Sequence, residues 1–254
     1  MKLIAFFVPL LCFFMSCNEA VQKKEESPGL EQSEETKSLL ERAKRHVEAQ
    51  LNIPATEKYK IEILETNLDP GSDMDAVISV NQLQRAQKEA EEDVNITQRA
   101  NTGFLGNFNT LFLYNGESKE FTRPIKMPSS ANVPLKVIFQ NITTEAYSDI
   151  IVEYRIRDAA YRNYFGVRNR TPFLMFQWKV FDSLTYENPV ANYFELGAGS
   201  VSLVKDILIY EGKITNKINE DILGELNLEI EKKEALKYRF FFDPKSKKYL
   251  TVME

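Results

Sequence analysis

The stretch 153–170, EYRIRDAAYRNYFGVRNR, concentrates side chains suited to recognition. Arg155, Arg157, Arg162, Arg168 and Arg170 are interspersed there with Tyr154, Tyr161, Tyr164 and Phe165. A guanidinium fork binds a carboxylate or phosphate through paired hydrogen bonds, and aromatic faces stack on sugars or on guanidinium groups. In a chain of formal charge -5, this run is a local basic patch. The five arginines, with Tyr161 and Tyr164, are therefore the candidate surface for an anion or a glycan. Tyr154 falls on the apolar side of its strand and points to the core. The opposing reading is a solvated sheet face whose arginines pair with nearby acids.

Catalytic patterns are sparse. His46 is the single histidine, so neither a Ser-His-Asp triad nor a multi-histidine metal site can be built. It sits beside an apolar helix stripe and reads as structural. Asp69, Asp73 and Asp75 lie in DPGSDMD, where oxygens on a Gly-containing loop could hold calcium. Their spacing departs from the EF-hand, and a plain Asp/Gly/Pro turn is the simpler reading. A glycosidase needs two carboxyls about 5 to 9.5 Å apart, a pair that spacing cannot select among 37 acids. No Ser–Lys dyad stands out, and Ser246–Lys248 reads as a hairpin tip. The chain has no G-x-G-x-x-G and no Walker A, and LGAGS at 196–200 reads as a turn or bulge. No catalytic residue, cofactor or metal ligand is assigned. The sequence pI near 5.3 argues against nucleic acid as a partner.

The first residues carry an address. Residues 1–16, MKLIAFFVPLLCFFMS, have one charge, Lys2, before a short apolar run. Spanning a bilayer takes roughly 20 apolar residues, so the run reads as a signal peptide. Phe14, Met15, Ser16 and Cys17 at its end resemble the lipobox of bacterial lipoproteins. Phe14 stands where that family usually has Leu, and Met15 where a small residue is common. The resemblance implies lipidation of Cys17, cleavage before it, and acylation of the new amino group with fatty acids such as palmitate. Cys12 would leave with the leader, so the mature chain would hold no thiol and no disulfide. Two or three acyl chains anchor stably, at about 0.8 kcal/mol per buried CH₂. Asn18 is not the Asp that signals inner-membrane retention in some bacteria, which favours the outer membrane.

Asp182-Ser183-Leu184 matches a short bacterial O-glycosylation sequon. Asn95-Ile-Thr and Asn141-Ile-Thr match the N-glycosylation pattern, a pathway the bacterial leader argues against.

The elements that must position these groups follow the chain. Residues 17–37 are nearly devoid of apolar side chains and read as a lipidated cysteine and flexible tether. Residues 38–51 form a helix with Leu40, Ala43, Val47 and Leu51 on one stripe, stopped by Pro54. Residues 58–65 and AVISV form two strands able to pair, and 82–92 a surface helix. Beyond residue 103, TLFLYN ends in Asn115-Gly116, a hairpin signal. PLKVIFQ, SDIIVEYRIRD, PFLMFQWKVFD, SLVKDILIY, LNLEIE, LKYRFFFD and KYLTVM continue as strands. In SDIIVEYRIRD, Ile150, Val152, Tyr154 and Ile156 face one way and Glu153, Arg155 and Arg157 the other.

The expected class is α+β, with an N-terminal helix-containing part followed by a mainly antiparallel β body. Regions 38–102 and 103–254 are expected to pack as one domain. The function expected is a non-catalytic, lipid-anchored envelope protein of the outer membrane, binding a protein or glycan. The alternative is a carbohydrate- or peptidoglycan-processing enzyme using paired carboxylates.

Overall fold

The computed structural model describes residues 34–71, 73–216, 222–226 and 228–251. The expected signal segment, Cys12, Cys17 and the expected tether up to residue 33 lie outside the described residues, and 34–37, expected in the tether, belong to the first helix. The body is mainly antiparallel β with a helix at its front.

Helix α1 (Glu34–Leu51) begins before Ser38, the start its periodicity predicts. It buries Leu39, Ala43, Val47 and Leu51, an i, i+4 stripe in which Leu39 replaces the expected Leu40. Strands β1 (Lys60–Thr66) and β2 (Asp75–Asn81) pair as the expected hairpin. Helices α2 (Leu83–Glu91) and α3 (Ile96–Ala100) follow. Ala86 and Ala90 of α2 are fully buried, so its few apolar positions hold it through close contact rather than bulk. Strands β3 (Leu105–Asn115), β4 (Glu120–Phe121) and β5 (Ile125–Ser130) complete a five-stranded sheet.

The second sheet is a meander of eight strands, each paired with its neighbour in sequence. They are β6 (Lys136–Gln140), β7 (Asp149–Ile156), β8 (Ala159–Arg168), β9 (Thr171–Asp182), β10 (Val190–Gly197), β11 (Asp206–Ile214), β12 (Ile230–Asp243) and β13 (Lys248–Leu250). Strands β9 and β10 pair over only two positions, Val190 with Asp182 and Ala191 with Phe181. There the sheet folds over on itself. Phe176 of β9 and Phe240 of β12 have ring centroids 4.6 Å apart. In a flat sheet, three strand spacings would separate them by about 14 Å.

The result is a stack of layers. α1 covers one face of β1–β5 through Ala76, Ile78, Val80 and Phe112. The other face, with Val77, Leu111 and Leu113, meets Ile150, Val152 and Tyr154 of β7. The reverse side of β7–β9, with Ile151, Tyr164, Met175 and Phe176, meets Ile207 and Ile209 of β11 and Phe240 of β12. Strands β2 and β7 are thus covered on both faces; β2 is mainly apolar, whereas the reverse face of β7 carries Glu153 and Arg155 beside Ile151.

The strands run between two ends. One end gathers the 67–74, 116–119, 141–148, 169–170, 198–205 and 244–247 connections. It is tied across the sheets by Ser148 N to the Asn67 carbonyl at 2.8 Å and by Arg170 to Glu117 at 3.0 Å. The other end gathers 131–135, 157–158, 183–189 and the β11–β12 connection. It is tied by the Arg157 amide to Ser130 Oγ at 3.0 Å.

Candidate functional site: a cleft at one end of the stack

A cleft of about 440 Å³ opens at the second end. Its walls are Val133–Val137, Val180, Phe181, Leu226, Leu228 and Ile230, with Lys60, Glu62 and Leu64 of β1 above. β1 contributes alternating residues, hence one face. β6 contributes Lys136 and Val137, which are consecutive, so the cleft meets the strand's edge. Among the described residues no strand pairs with the outer edge of β6 or of β1.

Buried asparagines hold the 131–133 segment that leads into the wall. Asn81 Nδ2 donates to the Ala131 carbonyl and to Asn109 Oδ1, both at 2.8 Å. Asn109 Nδ2 donates to the Val133 carbonyl at 3.1 Å. Sequence reasoning passed over both residues. The available signal was an Asn at the end or centre of an otherwise apolar strand, where a buried amide must find partners.

Arg155 forms the floor. It is 6% exposed. Its Nη2 donates to the Arg157 carbonyl at 2.8 Å and to the Ile222 carbonyl at 2.7 Å. Its guanidinium lies over the Phe181 ring, 4.9 Å from the centroid. Burial pushes Arg155 below its ordinary value, and the nearby Asp158 opposes that shift. Its buried Nε has no hydrogen-bond partner among the described residues. A buried donor left unpaired costs about 1–3 kcal/mol.

Glu153 lines the same cleft and is held on two sides. Arg162 Nε donates to its Oε1 at 2.8 Å, and Lys136 approaches its Oε2 at 3.5 Å. Arg162 also lies over the Phe194 ring at 4.4 Å.

The arginine-rich stretch therefore does not form one surface. β7 and β8 fold it into a hairpin in which Glu153 pairs with Arg162 and Tyr154 with Tyr161. Tyr164 is 1% exposed and packs on Phe176, which corrects its assignment to the patch. Burial raises its phenol, and Arg162 beside it opposes that shift. Arg155 is likewise interior. Arg162 is spent on Glu153, and Tyr161 stacks on Tyr154 at 5.6 Å. Arg157 sits at the hairpin tip with φ 56°. Arg168 and Arg170 are exposed at the opposite end of the molecule. Alternation places Arg155 and Arg162 on the side expected to be wet, but the folded-over half of the sheet covers that side.

The other candidates are engaged by their neighbours. His46 stacks on Phe121 at 4.8 Å and meets Phe112 edge-on at 5.5 Å. Asp75 accepts from Leu68 N at 2.9 Å, Gly116 N at 2.8 Å and Asn115 Nδ2 at 3.1 Å, so its oxygens organise a turn. Asp73 pairs with Lys119. In the 182–184 sequon, Ser183 turns with φ 60° and Leu184 is buried. A carboxyl raised by burial is Asp149, whose oxygens accept from Ile142 N at 3.1 Å and Thr143 N at 2.7 Å. It anchors the β6–β7 turn, away from the cleft. No family model, curated protein or solved structure matches the chain.

Proposed function

We propose that this chain is a non-catalytic, lipid-anchored protein of the bacterial cell envelope that holds an extended segment of a protein partner in the cleft. Acyl chains on Cys17 fix it to the outer membrane. The partner segment lies along β6 as an added strand. The observation that carries this reading is the edge of β6, which no strand pairs among the described residues, opening into a cleft with apolar walls and a charged rim. Unpaired strand edges offer backbone donors and acceptors in register, and side-chain pockets beside them add selectivity. Lys60, Glu62 and Glu225 give the rim both charge signs.

The test is a photoreactive residue placed at Lys136 in the full chain, produced in its native envelope, with a second at Glu187 as control. A protein adduct is expected from Lys136 and not from Glu187. It should vanish when Leu226→Arg blocks the cleft, with the fold checked by urea unfolding. An adduct that survives the blocked cleft, or capture of glycan alone, overturns the reading.

A further inference from the structure

The end opposite the cleft combines three independent features. First, the 198–204 loop is AGSVSLV, without a charge, and it holds Val201 and Leu203 at 62% and 101% exposure. Exposed Met74 stands at the same end. Second, Arg168, Lys247 and Lys248 line a hollow of about 500 Å³ between the β8–β9 and β12–β13 hairpin tips, together with Asn169, Thr171 and Ser246. None of these three cations is in an ion pair among the described residues; Lys248 donates to the Leu174 carbonyl and Lys247 lies over the Phe173 ring, neutral contacts that leave their charge uncompensated. The acids nearby are otherwise engaged. Glu117 holds Arg170, Glu145 holds Lys205, and Asp243 caps its own turn through Lys245 N and Ser246 N.

Third, the described chain begins at this end, with the start of α1. Arg42 of α1 donates to the Lys119 carbonyl at 2.7 Å, in the β3–β4 turn. Leu51 at the other end of α1 accepts from Arg85 beside the start of α2. Glu34 therefore lies about 12 Å beyond Arg42 in the direction of the basic tips, at 1.5 Å per helical residue. Cys17 is separated from Glu34 by a segment that reaches at most about 60 Å.

We propose that this end is a membrane-docking face for an anionic phospholipid bilayer. Val201 and Leu203 enter the headgroup region, and Arg168, Lys247 and Lys248 bind lipid phosphates. The orientation rests on the anchored reading above. It turns the cleft away from the bilayer, towards a partner. Each basic side chain near an anionic surface adds attraction that salt screens, and apolar loop residues add a contribution that salt does not screen.

The test uses the full chain purified from membranes and placed on preformed vesicles. One set is pure phosphatidylcholine, the other contains phosphatidylglycerol. A fluorophore sits at Leu203→Cys or, as control, at Glu187→Cys, and is read with a lipid-borne quencher. Quenching at Leu203 is expected to exceed that at Glu187 several-fold on anionic vesicles. It should fall in the Arg168→Glu/Lys247→Glu variant and on phosphatidylcholine. The intact mass of the same sample reports the acyl chains separately. An unacylated chain whose Leu203 probe is still quenched sinks the anchor and keeps the docking face. An acylated chain whose Leu203 probe is quenched no more than Glu187 overturns the docking face.

Discussion

Arg155 of β7 donates through Nη2 to the carbonyl of Ile222 at 2.7 Å, across 67 residues of chain. That bond ties the segment carrying Leu226 and Leu228 to the sheet. The same nitrogen holds the Arg157 carbonyl at the β7–β8 turn. One buried guanidinium thus sets both the floor and one wall of the cleft. Its planar fork and its stacking on Phe181 are properties that a lysine lacks.

Arg155→Lys is expected to cost about 1–3 kcal/mol, the range for losing buried hydrogen bonds to a charged donor. Hydrogen exchange at residues 222–226 should accelerate more than in β3. Urea unfolding and exchange mass spectrometry check this together. Unchanged protection at 222–226 would show that the segment is held by Leu226 and Leu228 alone.

The Glu153–Arg162 pair lies in the fold-over, with side chains 17% and 20% exposed. Removing one member leaves the other charge poorly solvated. Arg162→Met alone should therefore cost about 3 kcal/mol, whereas Glu153→Leu with Arg162→Met should cost less than the sum of the single changes. A double-mutant cycle in urea reads the coupling. Additive costs would mean that water solvates the pair and that the cation–aromatic contact with Phe194 carries the site.

Burial raises the Asp149 carboxyl, against the hydrogen bonds from Thr143 and Ile142. A carboxyl raised in the folded state stabilises it when protonated. That contribution is present below the unfolded value and is lost as pH rises through the folded one. Asp149→Asn is neutral throughout. The stability of the native chain relative to this variant should therefore grow as pH falls from about 7 to about 4. A difference that shrinks would mean that the amide donors outweigh burial.

The antiparallel β body was legible because its strands alternate. Ile150, Val152 and Tyr154 form the buried face of β7 that their spacing predicts. The fold-over was not. It puts Arg155, Glu153 and Arg162 inside, where pairing and ring stacking replace apolar character, so a charged run resembled a surface. For the same reason β8 was hidden within the arginine-rich stretch. The cleft depends on residues 60–64, 133–137 and 225–230, which come together only through long-range pairing. No local spacing encodes that meeting.

Asn115-Gly116 shows a local signal with a different cause. The dipeptide predicts a two-residue turn with both residues at positive φ. Instead, Asn115 pairs with Glu120, the turn spans 116–119, and Lys119 takes the positive φ of 58°. Gly116 is needed for closeness. A Cβ there would lie 2.3 Å from the Met74 carbonyl oxygen and 2.7 Å from its carbon. Both are backbone atoms, fixed where the Gly116 amide reaches Asp75. Gly116→Ala must therefore push the 73–75 backbone away and weaken the hydrogen bonds gathered on Asp75, at about 1–3 kcal/mol. Gly71→Ala is the control. Its Cβ would meet only Asp69 Oδ1, at 2.9 Å, a side-chain atom able to rotate. Thermal unfolding of the two variants should place Gly116→Ala clearly below Gly71→Ala. Equal midpoints would mean that the two loops separate at little cost and that the Asp75 cluster does not hold this end of the stack together.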